Sequence, residues 1–423
     1  MKKIMVVGGG GREHAITWKL SKSNNISDLW VAPGNGGSQQ LAESININLT
    51  DIESIVAAAK FRDIDLAVIG PEEPLALGLV DALEQRGIPS IGPNKKGAQI
   101  EASKIFAKKL MDSESIPTAE WRSFDDPTTA IEHIKTCQMP IVIKADGLAA
   151  GKGVAVCNDI AEAKQFINQL MVLKAFSQAG DRILIEECLE GKEASIFVIC
   201  DGENSIMTVP ACDYKRIGDD DIGPNTGGMG SYSPPEFLSD IELSEIEKTI
   251  VRPTLKQLNQ LGIPYKGTLY IGLMMTEAGP RVLEFNCRMG DPETQVVLPR
   301  LDHDLLEIYE SITTASLSNL DIQWSSNSTI GVVLASPGYP EKPKTGIPIT
   351  GLDKLDKDIL VFHSGTRLDG ETLLTNGGRV LTIVSQASNM LDARNKLYKN
   401  VDRIYFDGMQ YRKDIGLRAI NNM

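Results

Sequence analysis

The chain has 423 residues, with 43 Lys+Arg against 56 Asp+Glu for a formal net charge of −13, and 42% apolar and 23% charged residues. That composition excludes wholesale disorder, and the length allows roughly two to four domains, each burying its own core. The acidic balance argues against a nucleic-acid polymer as partner, while a local Lys/Arg cluster can still hold a small anion.

After Lys2 and Lys3 the apolar run 4–7 is too short for a secretory leader, and no stretch approaches the roughly 20 apolar residues of a membrane helix. A cytoplasmic protein without a membrane partner is expected. Cys137, Cys157, Cys188, Cys200, Cys212 and Cys287 lie far apart with no C-x-x-C pair. Reduced, buried thiols are expected, with neither a zinc site nor a disulfide framework.

Residues 3–7, 29–32 and 66–70 are short apolar runs closed by Gly or Pro, the pattern of buried strands. Between them Ile52, Ile55, Val56 and Ala59 mark one helix face, and Leu75, Leu79, Val80 and Leu83 another. This βαβ series predicts a parallel sheet covered by helices. Its ligands should sit beyond the carboxyl ends of the strands, where Gly8-Gly9-Gly10-Gly11, Pro33-Gly34-Asn35-Gly36-Gly37, Gly70-Pro71-Glu72 and Gly92-Pro93-Asn94 fall. The four-glycine turn does not fit a dinucleotide fingerprint. Glu13 stands in place of its third glycine, and no acidic residue ends the second strand. Backbone N–H groups and Arg12 at a helix N-terminus instead suit a phosphate.

From residue 103 the pattern becomes α+β. A helix at 103–113 leads to strand 141–145 and then Gly147-Leu148-Ala149-Ala150-Gly151-Lys152-Gly153. That turn lacks the spacing and the Ser/Thr of a Walker A loop, and it joins two strands. It reads as a glycine flap carrying Lys152 over a triphosphate, entered from Lys144. Strand 154–157, a helix at 161–173 and strand 182–187 follow. Next come a hairpin (194–200 and 205–209) turned by Asp201-Gly202, a loop at 213–235, one helix at 242–261, and strands 268–275 and 281–286. Alternation in the last strand puts Glu284 and Asn286 on one face, with Phe285 in the core. A carboxylate beside an amide oxygen suits Mg²⁺, and Arg288 on the same face suits a transferring phosphoryl group. Past Trp324, residues 329–335, 360–365 and 380–385 read as strands and 389–401 as a helix. No flexible linker is evident, so the domains should pack closely.

Lys104, Lys144 in the run 141–153, Glu186-Glu187 and Glu284-Phe285-Asn286 together resemble the ATP-grasp ligases. Further segments are Gly10-Gly11-Arg12-Glu13-His14-Ala15, Ala32-Pro33-Gly34-Asn35, Gly70-Pro71-Glu72 and Gly223-Pro224-Asn225-Thr226-Gly227-Gly228-Met229-Gly230. Arg288-Met289-Gly290-Asp291-Pro292-Glu293-Thr294-Gln295, Thr375-Asn376-Gly377-Gly378-Arg379-Val380 and Arg412-Lys413-Asp414-Ile415-Gly416 complete the set. Over essentially the whole chain they are similar to the glycinamide ribonucleotide synthetase family of purine synthesis. Departures are small: Met289 where Phe is commoner, Tyr214 where His is usual, and Gly36 where Ala or Pro is common.

The resemblance implies an α/β and α+β multidomain fold. Its parts are an N-terminal parallel α/β domain (1–102), an ATP-grasp core (103–324) with a mobile lid near 118–189, and a small C-terminal α+β domain (325–423). The implied reaction ligates glycine to 5-phosphoribosylamine through glycyl phosphate, giving glycinamide ribonucleotide, ADP and phosphate, with Mg²⁺ or Mn²⁺. ATP would rest on Lys104, Lys144, Gly151, Gly153, Glu186, Glu187, Cys188, Leu189 and Glu193, and the metal on Glu284 and Asn286. Gly10, Gly11, Arg12, Gly34, Asn35, Asp213 and Asp291 would bind the other substrates, with Asp213 or Asp291 taking the glycine ammonium. Arg288, Lys215 and Asp213 would serve catalysis. A stand-alone cytoplasmic enzyme, monomeric or a small homo-oligomer, is expected. The alternative is another purine-pathway ATP-grasp carboxylase or transformylase.

Overall fold

Short apolar strands need cover on both faces, and the inner strands of the first sheet have it. β1 (Lys2–Gly8), β2 (Ile26–Pro33), β3 (Glu43–Ser44), β4 (Leu66–Ile69) and β5 (Ser90–Ile91) form one parallel sheet in the order β3-β2-β1-β4-β5. Met5, Val7 and Ile69 bury into one core, and Ile4, Val6 and Val68 into another. The computed structural model describes residues 1–149 and 153–421, so Gly151 and Lys152 of the expected flap lie outside the described residues. The stripe from Leu75 to Leu83 spans two helices, Glu72–Leu77 and Leu79–Glu84. Gly78 breaks it with φ 94°, a left-handed conformation that glycine adopts at little cost.

β6 (Trp121–Phe124), β7 (Ile141–Ala145), β8 (Val154–Cys157) and β9 (Ile183–Glu187) make a small antiparallel sheet in the order β6-β9-β7-β8. Helices Pro127–Ile134 and Ile160–Ile167 close a core of their own over Ile143 and Ile185. The helix expected to reach 173 ends earlier in a wider turn, Asn168–Val172. β10 (Lys192–Asp201), β11 (Ser205–Met207), β14 (Lys266–Thr276) and β15 (Gly279–Asn286) form the central sheet, in the order β11-β10-β14-β15. Ile196, Val198, Ile271 and Phe285 from this sheet share a core with Met5 and Val7, which is why no linker separates it from the first sheet.

Two readings need correction. The loop expected at 213–235 contains β13 (Gly230–Ser233), which pairs with β16 (Ser328–Ala335). With β12 (Cys212–Asp213), β17 (Leu360–His363) and β20 (Arg379–Ala387) it builds the C-terminal sheet, in the order β12-β13-β16-β20-β17. Four residues with one glycine carry no usable periodicity, so only the partner strand reveals them. The single helix expected at 242–261 is Asp240–Ile246, a widened turn Glu247–Val251, and Arg252–Gln260. Pro253 lacks the amide hydrogen and its ring crowds the preceding turn, which the widening relieves. A hairpin of β18 (Thr366–Asp369) and β19 (Thr372–Thr375) also went unread. Among the described residues no helix is long and apolar enough to cross a membrane.

The helix Gly11–Leu20, which follows β1, meets the C-terminal sheet at two histidines. The His363 amide donates to His14 Nδ1 at 2.8 Å, and the rings lie 5.4 Å apart at their centroids. Burial, with His363 nearby, lowers the His14 pKa from 6.5 to about 3, and burial lowers that of His363 to about 4. Below pH 6.5 the unfolded chain takes up protons that this junction refuses. Stability is therefore complete above that pH and falls as pH drops toward the folded-state values, by on the order of 2 kcal/mol per histidine at pH 5. The urea midpoint should fall between pH 7.5 and pH 5, and fall less in His14→Gln. An identical pH response in that variant would contradict the assignment.

Candidate active site

One cavity of about 580 Å³ opens between the small antiparallel sheet and the central sheet. It gathers most of the sequence-predicted site residues. Lys104 opens helix Lys104–Ser113, whose N-cap Ser103 accepts from the Phe106 amide. Lys144 on β7 donates to the Leu283 carbonyl at 3.0 Å and pairs with Glu186 of β9 at 2.8 Å. Glu187, Cys188 and Leu189 continue the wall. The Glu187 carboxylate holds the Glu120 amide at 2.9 Å and Arg281 at 3.0 Å. Gly153 lines the cavity, whereas Gly151 lies outside the described residues.

Glu284 and Asn286 share one face of β15, with Asn286 Nδ2 donating to Glu284 Oε1 at 3.3 Å. Burial pushes the Glu284 carboxyl up, but Lys104, Lys144 and Lys215 outweigh it and hold the carboxyl below its ordinary range. Burial in turn lowers the pKa of Lys104. Arg288 follows on the same face, gripped by Glu72 at 3.2 Å and Glu101 at 2.9 Å, and also donates to Asn286 Oδ1 at 3.3 Å. Burial would raise the Glu72 pKa, yet Arg288 and Arg12 bring it down to about 2. Lys215 bridges Asp213, at 2.8 Å, and Glu193. Burial opposes its charge, and the two carboxylates nonetheless drive its pKa well up. Asp291 takes Arg379 at 3.3 Å and Gln295 Nε2 at 2.7 Å.

The glycine turns behave differently. Arg12 reaches the cavity and donates to the Met289 carbonyl at 3.1 Å, but Gly10, Gly11, Gly34 and Asn35 are not part of the lining. Glu13, the residue that spoils the dinucleotide fingerprint, folds back to accept from the Gly10 amide at 2.6 Å and from Arg12 Nε at 2.5 Å. A Cβ at Gly8 or Gly70 would strike its side chain, so those glycines make its room. Asn35 donates to Gly9 and His363 carbonyls at 3.0 and 2.7 Å, and accepts from Gly37 and Ser38 amides. It laces the turn together. Tyr214, the departure from the usual His, points away from the cavity between Arg412 and Arg418, whose guanidinium carbons lie 4.7 and 4.8 Å from its ring centroid.

Lys108 and Glu293 are among the lining residues that escaped the sequence reading. Lys108 sits one turn after Lys104, donating to Thr118 Oγ1 at 2.7 Å, with Glu186 Oε1 at 3.4 Å. Burial lowers its pKa to about 8. The i,i+4 spacing was its available signal. Glu293 carried no such signal. It lies buried at the cavity wall, and burial together with Asp213 raises its pKa to about 7. Among the described residues no three His, Cys, Asp or Glu side chains form a ready metal cage. A divalent ion would find hard oxygens at Glu284 and Asn286, and would complete its shell from ligand or water oxygens, as Mg²⁺ tolerates.

Comparison with known proteins decides the lineage of this cavity. Residues 2–101, 102–294 and 329–418 match the N, ATP-grasp (A) and C domains of phosphoribosylglycinamide synthetase, respectively. The chain belongs to the phosphoribosylglycinamide synthetase family. It is 46% identical to the phosphoribosylamine–glycine ligase of Caldanaerobacter subterraneus subsp. tengcongensis, over 98% of this chain and 99% of that one. The crystal structure of the Thermotoga maritima phosphoribosylamine–glycine ligase superposes with a TM-score of 0.84 at 32% identity, covering 97% of this chain and 99% of that one. A biotin carboxylase domain of Hydrogenobacter thermophilus, bound to MgADP, shares the fold at 17% identity with a TM-score of 0.74, covering 97% of this chain and 92% of that one. The family's three-part mixed α/β architecture is therefore present here, built from a parallel N-terminal sheet, an ATP-grasp middle and a C-terminal sheet.

Proposed function

We propose that this chain joins glycine to 5-phosphoribosylamine while converting ATP to ADP and phosphate. The observation that carries the reading is the convergence of Lys104, Lys144, Glu284, Asn286 and Arg288 on one cavity. A carboxylate is a poor electrophile because it is anionic and resonance-stabilised. Phosphoryl transfer to a glycine carboxylate oxygen gives glycyl phosphate. The ribosylamine nitrogen then attacks its carbonyl carbon, the C–O bond to phosphate breaks, and the amide forms. Such chemistry needs positioning and charge neutralisation more than covalent help.

In this reading Lys104 and Lys144 hold the ATP phosphates, and Gly153 lets backbone approach them. Glu186 and the backbone of Glu187, Cys188 and Leu189 meet the adenine, and Glu193 the ribose. Glu284 and Asn286 hold Mg²⁺ or Mn²⁺, which when bound neutralises charge on the phosphates. Arg288, fixed by its two carboxylates, faces the transferred group. Lys215 and Asp213 stand on the glycine side, bordered by Asp291. Arg12 takes the phosphoribosyl phosphate, above a turn shaped by Gly10, Gly11, Gly34 and Asn35. Residues from about 118 to 189, with their separate core, act as a lid that keeps water from the acyl phosphate.

ADP release should require glycine and phosphoribosylamine together, and neither bicarbonate nor formate should replace glycine. Equal turnover without glycine would remove the reading. The enzyme is taken to work in the cytoplasm as a monomer or small homo-oligomer, and sedimentation at micromolar concentration measures the latter.

A further inference from the structure

Glu193, Asp213, Glu284, Asp291 and Glu293 all line the cavity. Asp213 and Glu193 share Lys215, and Asp291 pairs with Arg379, whereas among the described residues neither Glu284 nor Glu293 has a cation in ion-pair contact. Lys104, Lys144 and Lys215 outweigh burial at Glu284, but at Glu293 burial and the neighbouring Asp213 outweigh Lys215. Among the described residues no Lys or Arg makes an ion pair with Glu293, and its one side-chain partner is Ser195, whose Oγ donates to Oε1 at 3.0 Å. Ser195 is itself braced by Tyr270 Oη at 3.1 Å. Glu293 is only 4% exposed, and a Cβ on Gly290 would collide with its carboxylate, so the bare glycine leaves the oxygens room.

A buried carboxylate with no cation in contact is costly unless a ligand brings one. We infer that Glu293 binds the ammonium group of the glycine substrate, a role the sequence assigned to Asp213 or Asp291. The inference deepens the ligase reading above and rests on it. Its chemistry has a second consequence. An ammonium held against a carboxylate stays protonated and therefore non-nucleophilic, so the amine that attacks glycyl phosphate is that of the ribosylamine.

Steady-state kinetics of the full chain test this. Glu293→Gln should raise KM for glycine at least about 30-fold, the loss expected for one partner of a buried charged hydrogen bond. KM for ATP should be unchanged, and kcat should stay within about tenfold. Glycolate, which keeps the carboxylate but lacks the ammonium, should compete poorly in the unsubstituted chain, and its disadvantage against glycine should shrink in the variant. Glu293→Asp keeps the charge and should recover part of the glycine affinity. Unchanged KM for glycine in Glu293→Gln overturns the inference. So does equal loss of ATP and glycine affinity, or an Asp variant no better than Gln. The glycine requirement of the unsubstituted chain is measured in the same series, so failure of the ligase reading shows there, separately from the variants.

Discussion

Glu284→Ala should lower glycine-dependent ADP formation at least about 10³-fold, roughly 4 kcal/mol in the activation barrier, and leave the fold intact. The carboxylate is held ionised by Lys104, Lys144 and Lys215. Removing it takes away the anionic oxygen offered to a divalent ion and leaves those cations facing one another. No core void opens, because the side chain lies at the cavity and not among the buried apolar groups. The far-ultraviolet circular dichroism and the urea midpoint should therefore stay close to those of the unsubstituted protein. Glu284→Gln, which keeps one oxygen without the charge, should retain more activity, and excess Mg²⁺ should restore part of it. Near-normal turnover of the Ala variant at ordinary Mg²⁺ would remove the metal assignment.

Arg288→Ala should damage stability and turnover together. Its guanidinium bonds Glu72 from the first domain and Glu101 just before the ATP-grasp segment, and Glu101 Oε2 also accepts from the Cys287 amide at 2.8 Å. Truncation strands two carboxylates in a site where burial already opposes their charge. The cost should be roughly 3 kcal/mol, at the low end for a buried pair because Glu72 keeps some contact with solvent. Arg288→Lys should rescue little, since a single ammonium cannot span both partners as a planar guanidinium does. A lowered urea midpoint with turnover near background is the expected pair of results. An unchanged midpoint would mean that the two carboxylates find other partners.

Much of the fold was legible because its signals are local. Apolar runs ended by Gly or Pro gave three of the five strands of the first sheet, and alternation placed Glu284 and Asn286 on one face with Phe285 in the core, where the structure has them. Elements whose signal depends on a distant partner were missed. β13 is four residues that become a strand only between β12 and β16. The break at Gly78 and the widened turn before Pro253 are local, but the apolar stripe ran through both and masked them.

The candidate site divides the same way. From its residues alone the sequence determined the class of chemistry: lysines before and on a strand, a glycine flap, and a carboxylate–amide pair followed by arginine. Those are properties of residue type and spacing. Only the tertiary structure decided which charges are already answered. Arg288 and its partner Glu72 lie 216 positions apart, Asp291 and Arg379 lie 88 apart, and no periodicity links either pair. Which carboxylates remain without a cation in contact follows from those pairings. Coulomb interactions depend on distance and burial in the folded chain, and sequence separation does not report either.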